Sequence, residues 1–227
     1  NNLHKEYASE KKIDKTTKFL NEDELKKELN TNLYNHGIFS RNHGLSVNPL
    51  KFTQNFSKTL DKKGIKIYEN TNFLGEKDNI AKTQKGKIKF KKIIFCIDRE
   101  HPSKKVKNLK TTIVITRTLT KEELIKTKLI TKKFFWDSSE NYYYFKLTKE
   151  NKLLGGFGGI FVHKKHKIKD PHFPHLKQIE LFIKKLFPYL NLKFEYGWSG
   201  TFGVTDNWMP IIERKVRVTK FLIFSSL

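Results

Sequence analysis

Three short apolar runs, 134–136, 142–147 and 152–156, separated by polar turns at 137–141 and 149–151, limit the fold of this chain more than any other feature. The turns are too short to hold a crossover helix, so neighbouring runs can pair only antiparallel. The result is an antiparallel meander. Alternation along 142–147 puts Tyr142 and Tyr144 on one face and Tyr143 and Phe145 on the other; either both sets are core aromatics, or one face covers a cavity and the other a helix layer. Gly155-Gly156 and Gly158-Gly159 end the third run. Glycine there makes either a plain bend or a place where a second backbone or a ligand comes close.

Signals on either side of the meander predict further elements. Asn21 caps a helix whose first turn holds Glu22, Asp23 and Glu24, with Leu25, Leu29 and Leu33 at four-residue spacing. Asn48 and Pro49 open a second helix with an apolar face of Leu50, Phe52, Phe56 and Leu60, closed by Gly64. Short strands are expected at 65–68, at 80–83 and 88–90 around the turn Gln84-Lys85-Gly86, and in a buried run at 93–97. Residues 109–119 form a long β-rich run, and Thr120 with Glu123 makes a capping box for a short helix. A helix over about 175–186 carries Leu176, Ile179, Phe182, Ile183 and Leu186 on one side and stops at Pro188. Strands are expected again at 192–202 and 216–224.

The formal charge of +23 arises from 46 basic and 23 acidic residues, spread through every segment and dominated by lysine. Readers of nucleic acid favour arginine forks, so the excess reads as a solvated basic surface and not as a specific nucleic-acid site. No apolar run reaches the roughly 20 residues a membrane span needs, and no membrane partner is expected. The lone Cys96, inside the apolar run 93–97, excludes an intrachain disulfide and reads as a buried thiol in a reducing, cytoplasmic compartment. His163, His166, His172 and His175 form two H-x2-H pairs, but the lysines among them oppose a cation, and no metal is expected.

Residues 198–210 combine Trp198 and Trp208 with Gly200, Gly203, Asp206 and Pro210, an awkward set for ordinary core. Together with Trp136-Asp137, the run 142–148, and Asn151 to Gly156, this segment resembles the D-amino-acid-oxidase-like FAD-dependent oxidoreductases, and particularly their gamma-glutamylputrescine oxidase-like branch. The opener 47–52, with Gly64 and 67–71 after it, is similar as well, so the likeness covers roughly residues 20 to 212. It implies an α/β fold in which 1–108 is part of a Rossmann-like FAD-binding domain, 109–195 an antiparallel-sheet substrate domain with helices, and 196–227 a return to the FAD-proximal layer. It further implies FAD as cofactor, held by Phe73, Cys96, Ile97, Asp98 and Asp206, and an amine or amino-acid substrate against Tyr142, Tyr144 and Trp198. The protein's part is to pose a carbon–nitrogen bond against the flavin in a mostly apolar site.

Three departures accompany the likeness. Lys152 stands where an arginine is usual, which favours a substrate without a clamped carboxylate. Asp98-Arg99 follows the strand where relatives place small residues. No G-x-G-x-x-G occurs, so no glycine turn here delivers a pyrophosphate to a helix N-terminus. The expectation is a fragment whose dinucleotide-gripping loop comes from elsewhere, with a non-catalytic remnant or basic polyanion-binding module as the competing reading.

Overall fold

The computed structural model describes residues 2–41, 45–98, 105–139, 142–162, 173–212 and 220–222. Its contacts divide the chain into two units, 1–44 with 107–202 and 45–106 with 203–227. The sequence groups 1–108 together, whereas the structure ties residues 1–44 to the long sheet. Tyr34 Oη donates to Asp137 (3.1 Å), Asn30 Nδ2 donates to the Lys126 carbonyl (2.7 Å) and Lys133 pairs with Glu28.

In the first unit α1 (Asn2–Ile13), β1 (Lys18–Leu20), α2 (Glu22–Glu28) and β2 (Gly37–Phe39) precede the sheet. Asn21 caps α2, as the sequence indicates, and with Glu24 it forms a capping box. The helix stops earlier than the leucine spacing suggests, with Leu29 extended and buried and Leu33 exposed, because tertiary contacts claim the chain from Asn30 onward. The sheet itself is built from β7 (Lys107–Thr118), β8 (Phe134–Trp136), β9 (Tyr144–Leu147), β10 (Lys152–Val162) and β11 (Phe194–Val204) in the order β11-β7-β10-β9-β8. The expected meander is β8-β9-β10, antiparallel throughout. α4 (Lys121–Thr127), capped by Thr120 and Glu123, follows β7.

Two differences from the sequence reading matter for the site. β10 does not end at its glycines but runs on to Val162, because β7 offers a ladder partner over nearly its whole length. A register shift between Phe157 and Ile160 takes up the irregularity, and Gly159 there has φ 114, a conformation side chains resist. β9 begins at Tyr144 and not at 142: Tyr142 sits in the preceding loop at φ 49.

α5 (Phe173–Leu186) covers one face of the sheet. Ile179, Ile183 and Leu186 are fully buried, and Phe182 stacks on Tyr143 with ring centroids 4.1 Å apart. Gly155 permits this approach, since a Cβ there would stand 2.5 Å from Ile183 Cδ1. Tyr143 and Phe145 belong to the core beneath α5, so the helix-layer half of the alternation holds.

The second unit is packed differently. α3 (Pro49–Lys62) is followed by the meander β3 (Phe73–Lys77), β4 (Ile80–Thr83) and β5 (Gly86–Lys89), while β6 (Ile93–Phe95) pairs in parallel with β12 (Lys220–Leu222). α3 has the expected N-cap and proline but no buried residue: Leu50, Phe52 and Phe56 are 66%, 58% and 53% exposed. Residues 65–68 form no strand and are exposed. The run 93–97 is not buried as expected: Phe95 packs on Phe73 and, with Ile211, on Val106, but Ile94 and Cys96 are both exposed. Of the strand expected at 216–224, the described residues include only β12.

Candidate functional site

On the face of the sheet turned away from α5, aromatic groups remain partly open. Register places Tyr144 opposite Gly156 and Gly156 opposite Ile113, with Trp136 beyond Tyr144. A Cβ on Gly156 would lie 2.1 Å from Tyr144 Cζ, so the phenol ring lies flat across the β10 backbone where any side chain would stand. Its hydroxyl thereby reaches Thr111 Oγ1 on β7 at 3.2 Å. Thr111 spends its single proton on the Phe157 carbonyl (2.6 Å), which leaves Tyr144 as donor of the shared bond. Burial pushes the Tyr144 phenol up from its ordinary pKa, and the bond to Thr111 offsets this in part. Tyr144 is a neutral, oriented phenol.

Trp198 shares this face. A Cβ on Gly197 would meet Leu176 of α5 at 2.3 Å, and Ser199 Oγ bonds Thr112 Oγ1 at 2.9 Å on the buried side of β7. Alternation then turns Trp198, 40% exposed, to the open side with Tyr144 and Trp136. Tyr142, by contrast, is not on the strand face. It lies in the β8–β9 loop, its amide bonded to the Ser139 carbonyl (2.9 Å), with its phenol pushed up by burial and by the charges of Glu6 and Asp137.

Asp137 fastens that loop. One carboxylate oxygen accepts from Ser139 N, Ser139 Oγ and Tyr143 N at 3.2, 2.7 and 2.9 Å, and the other accepts from Tyr34 Oη. Burial and the Asp137 charge drive the Tyr34 phenol far above its ordinary value. Thr111, Asp137 and the role of Gly156 escape a sequence reading. Only cross-strand register brings residues 33 and 45 positions apart to one point, although the β-rich run and the glycine pair are both visible.

Charged groups near the sheet are already engaged. Arg117 forks onto Glu123 (2.8 and 2.6 Å) and also donates to the Asn191 and Thr118 carbonyls. Lys152 pairs with Glu195, which raises the lysine above its ordinary pKa. Neither side chain is a free clamp for a carboxylate.

In the second unit Phe73 opens β3 and packs edge-to-face on Phe95 with centroids 5.2 Å apart. Cys96, Ile97 and Asp98 leave the carboxyl end of β6. Asp98 adopts φ 45 and its Oδ1 accepts the Gly203 amide at 2.9 Å, tying the end of β6 to residue 203. Asp206 is exposed in a turn held by Thr205 Oγ1 donating to the Met209 carbonyl (2.8 Å) and by Met209 N donating to Asn207 Oδ1 (3.1 Å). The histidine pairs fall largely outside the described residues. His175 is buried against Phe157, and no group of metal-binding side chains occurs among the described residues. No helix among them is long and apolar enough to cross a membrane.

The family model described as DAO, FAD dependent oxidoreductase, matches residues 1–225. The chain belongs to this family. The solved structure of glycine oxidase from Geobacillus kaustophilus superposes with a TM-score of 0.80 at 15% identity, covering 98% of this chain and 61% of that one. L-Proline dehydrogenase from P. horikoshii gives 0.78 at 19% identity, covering 93% and 59%. Glycine oxidase from Bacillus cereus gives 0.76 at 14%, covering 99% and 63%. These likenesses establish a mixed helix-and-sheet fold of the DAO family, and the chain spans about three fifths of the length of these solved relatives. No curated protein gives a significant sequence match.

FAD is the cofactor of the DAO family. The described residues fit it in part. Open α/β sheets take ligands beyond the carboxyl ends of parallel strands, which is where Asp98 is pinned to the backbone. For the pyrophosphate the sequence offers no strand–glycine-loop–helix.

Proposed function

We propose that this chain carries the substrate-side part of an FAD-dependent oxidoreductase that oxidises an amine or amino acid to its imine, in the gamma-glutamylputrescine oxidase-like branch. FAD, when bound, supplies the acceptor for the two electrons that leave the substrate carbon as hydride. The open face of the sheet is assigned to the substrate. Trp198 and Trp136 offer apolar surface that excludes water and favours the neutral amine, which alone has a lone pair free for oxidation. Tyr144 offers a phenol oxygen at a fixed point, still able to accept a hydrogen bond from an amine N–H.

The observation that carries this reading is the locking of Tyr144 between Gly156 and Thr111 on a half-open aromatic face, in a chain of an FAD-dependent family. The commitment of Arg117 and Lys152 to carboxylates supports a substrate without a clamped carboxylate. For the cofactor we assign Phe73, the segment Cys96-Ile97-Asp98 and Asp206.

The unburied α3 and the two-stranded parallel pair of β6 and β12 support a further part of the proposal. Parallel strands are stable when covered on both faces and extended into a larger sheet. The dinucleotide loop then arrives on additional parallel strands, from sequence beyond these 227 residues or from another chain.

The test is the visible spectrum of the full-length protein followed by anaerobic addition of amines. Flavin colour that bleaches with an amine, and faster than with the matching amino acid, is expected. A protein that stays colourless with added FAD overturns the assignment, and bleaching only by amino acids overturns the reading of a substrate without a clamped carboxylate.

A further inference from the structure

One stretch of the sequence concentrates basic residues, and the fold sorts them onto one face. Between residues 77 and 92 lysine occurs seven times and an acidic residue once, Asp78. Register in the three-stranded meander sets Lys82 directly opposite Lys87, with Gly75 on the other side of Lys82, and places Ile80 between Lys77 and Lys89. Opposed residues share a face, so Lys77, Lys82, Lys87 and Lys89 project from one side while Glu76, Ala81 and Ile88 project from the other. All four lysines are exposed. The one neighbouring acid on the sheet, Glu76, is thus turned away from them.

Like charges directly opposed across a ladder destabilise it. Lysines on an edge strand guard against edge-to-edge pairing, which accounts for Lys87 and Lys89 on β5. It does not account for Lys82, which lies on the central strand β4. A closely spaced anionic surface would turn this repulsion into attraction.

We propose that the lysine face of β3-β4-β5 docks on an anionic lipid bilayer. The face holds no aromatic side chain on which a base could stack, and carries lysine point charges in place of arginine forks. Those features suit the diffuse potential of a charged leaflet better than the directional phosphates of a nucleic acid. Exposed Leu74, at the register shift of β3, adds an apolar side chain at the end of this strand. This site is independent of the redox reading.

The experiment is co-sedimentation of the purified chain with vesicles of phosphatidylcholine alone or with about one third phosphatidylserine. Each lysine near such a surface contributes about 1 kcal/mol, or roughly fivefold in partitioning. The combined variant Lys82→Gln, Lys87→Gln, Lys89→Gln is therefore expected to weaken binding to the anionic vesicles about 100-fold. The control Lys58→Gln, Lys62→Gln, Lys63→Gln on α3 and its C-cap removes the same charge and is expected to change binding only a few-fold. Binding should fade at high salt, as screening requires. The meander variant should also melt no lower than the parent, because it removes an unfavourable opposition. Equal losses in the two variants, binding to neutral vesicles alone, or preference for single-stranded RNA at equal phosphate concentration would each overturn the proposal.

Discussion

Replacing Gly156 by alanine tests the arrangement on which the proposed substrate face depends. The new Cβ would lie 2.1 Å from Tyr144 Cζ and 2.4 Å from its hydroxyl oxygen, so the ring must leave the β10 backbone. Overpacking of this kind costs about 1–3 kcal/mol. The displaced phenol also loses its bond to Thr111, worth about 1 kcal/mol. A total near 2–4 kcal/mol is expected, read as a lower urea midpoint at unchanged slope. Tyr144→Phe removes only the hydroxyl and should cost about 1 kcal/mol. The decisive comparison is a double-mutant cycle with Tyr144→Ala: once the ring is gone, adding the methyl at 156 should cost under about 0.5 kcal/mol. A Gly156→Ala cost that persists undiminished in the Tyr144→Ala background would refute the claim that this glycine is there to seat the tyrosine.

Further expectations follow from other contacts. Glu123 is held below the ordinary carboxylate pKa, chiefly by its hydrogen bond to Arg117. Its contribution is therefore present above the ordinary carboxylate range and is lost as pH falls through the depressed native value. Acid titration of stability should show a steeper loss below about pH 4.5 in the parent than in Glu123→Gln. Asp137→Ala strips acceptors from Tyr34, Ser139 and Tyr143 and should cost about 2 kcal/mol, with faster hydrogen exchange at the Tyr143 amide, and unchanged exchange would contradict the clasp. Cys96 is exposed and should react with a thiol reagent in the native state within the time of free cysteine, whereas protection until unfolding would restore the buried reading.

Much of the five-stranded sheet was legible because its signals are local. Polar turns between aromatic runs fix antiparallel neighbours, and the alternation of Tyr143 and Phe145 against Tyr144 follows from pleating alone. Capping boxes at Asn21 and Thr120 likewise involve residues three apart. The same logic failed for 65–68 and for the run 93–97. An apolar string states what a segment prefers to bury, but burial needs a second layer that the segment does not encode.

By itself, then, the sequence determined the meander, the helix starts, the missing phosphate loop and the family to which the chain belongs, all properties of neighbours along the backbone. Tertiary structure alone decided that Thr111 meets Tyr144 across Gly156, that Arg117 and Lys152 are already engaged, that Cys96 lies open, and that four lysines of the β3-β4-β5 meander share one face. These depend on strand register, and register arises only when distant segments compete for the same partners.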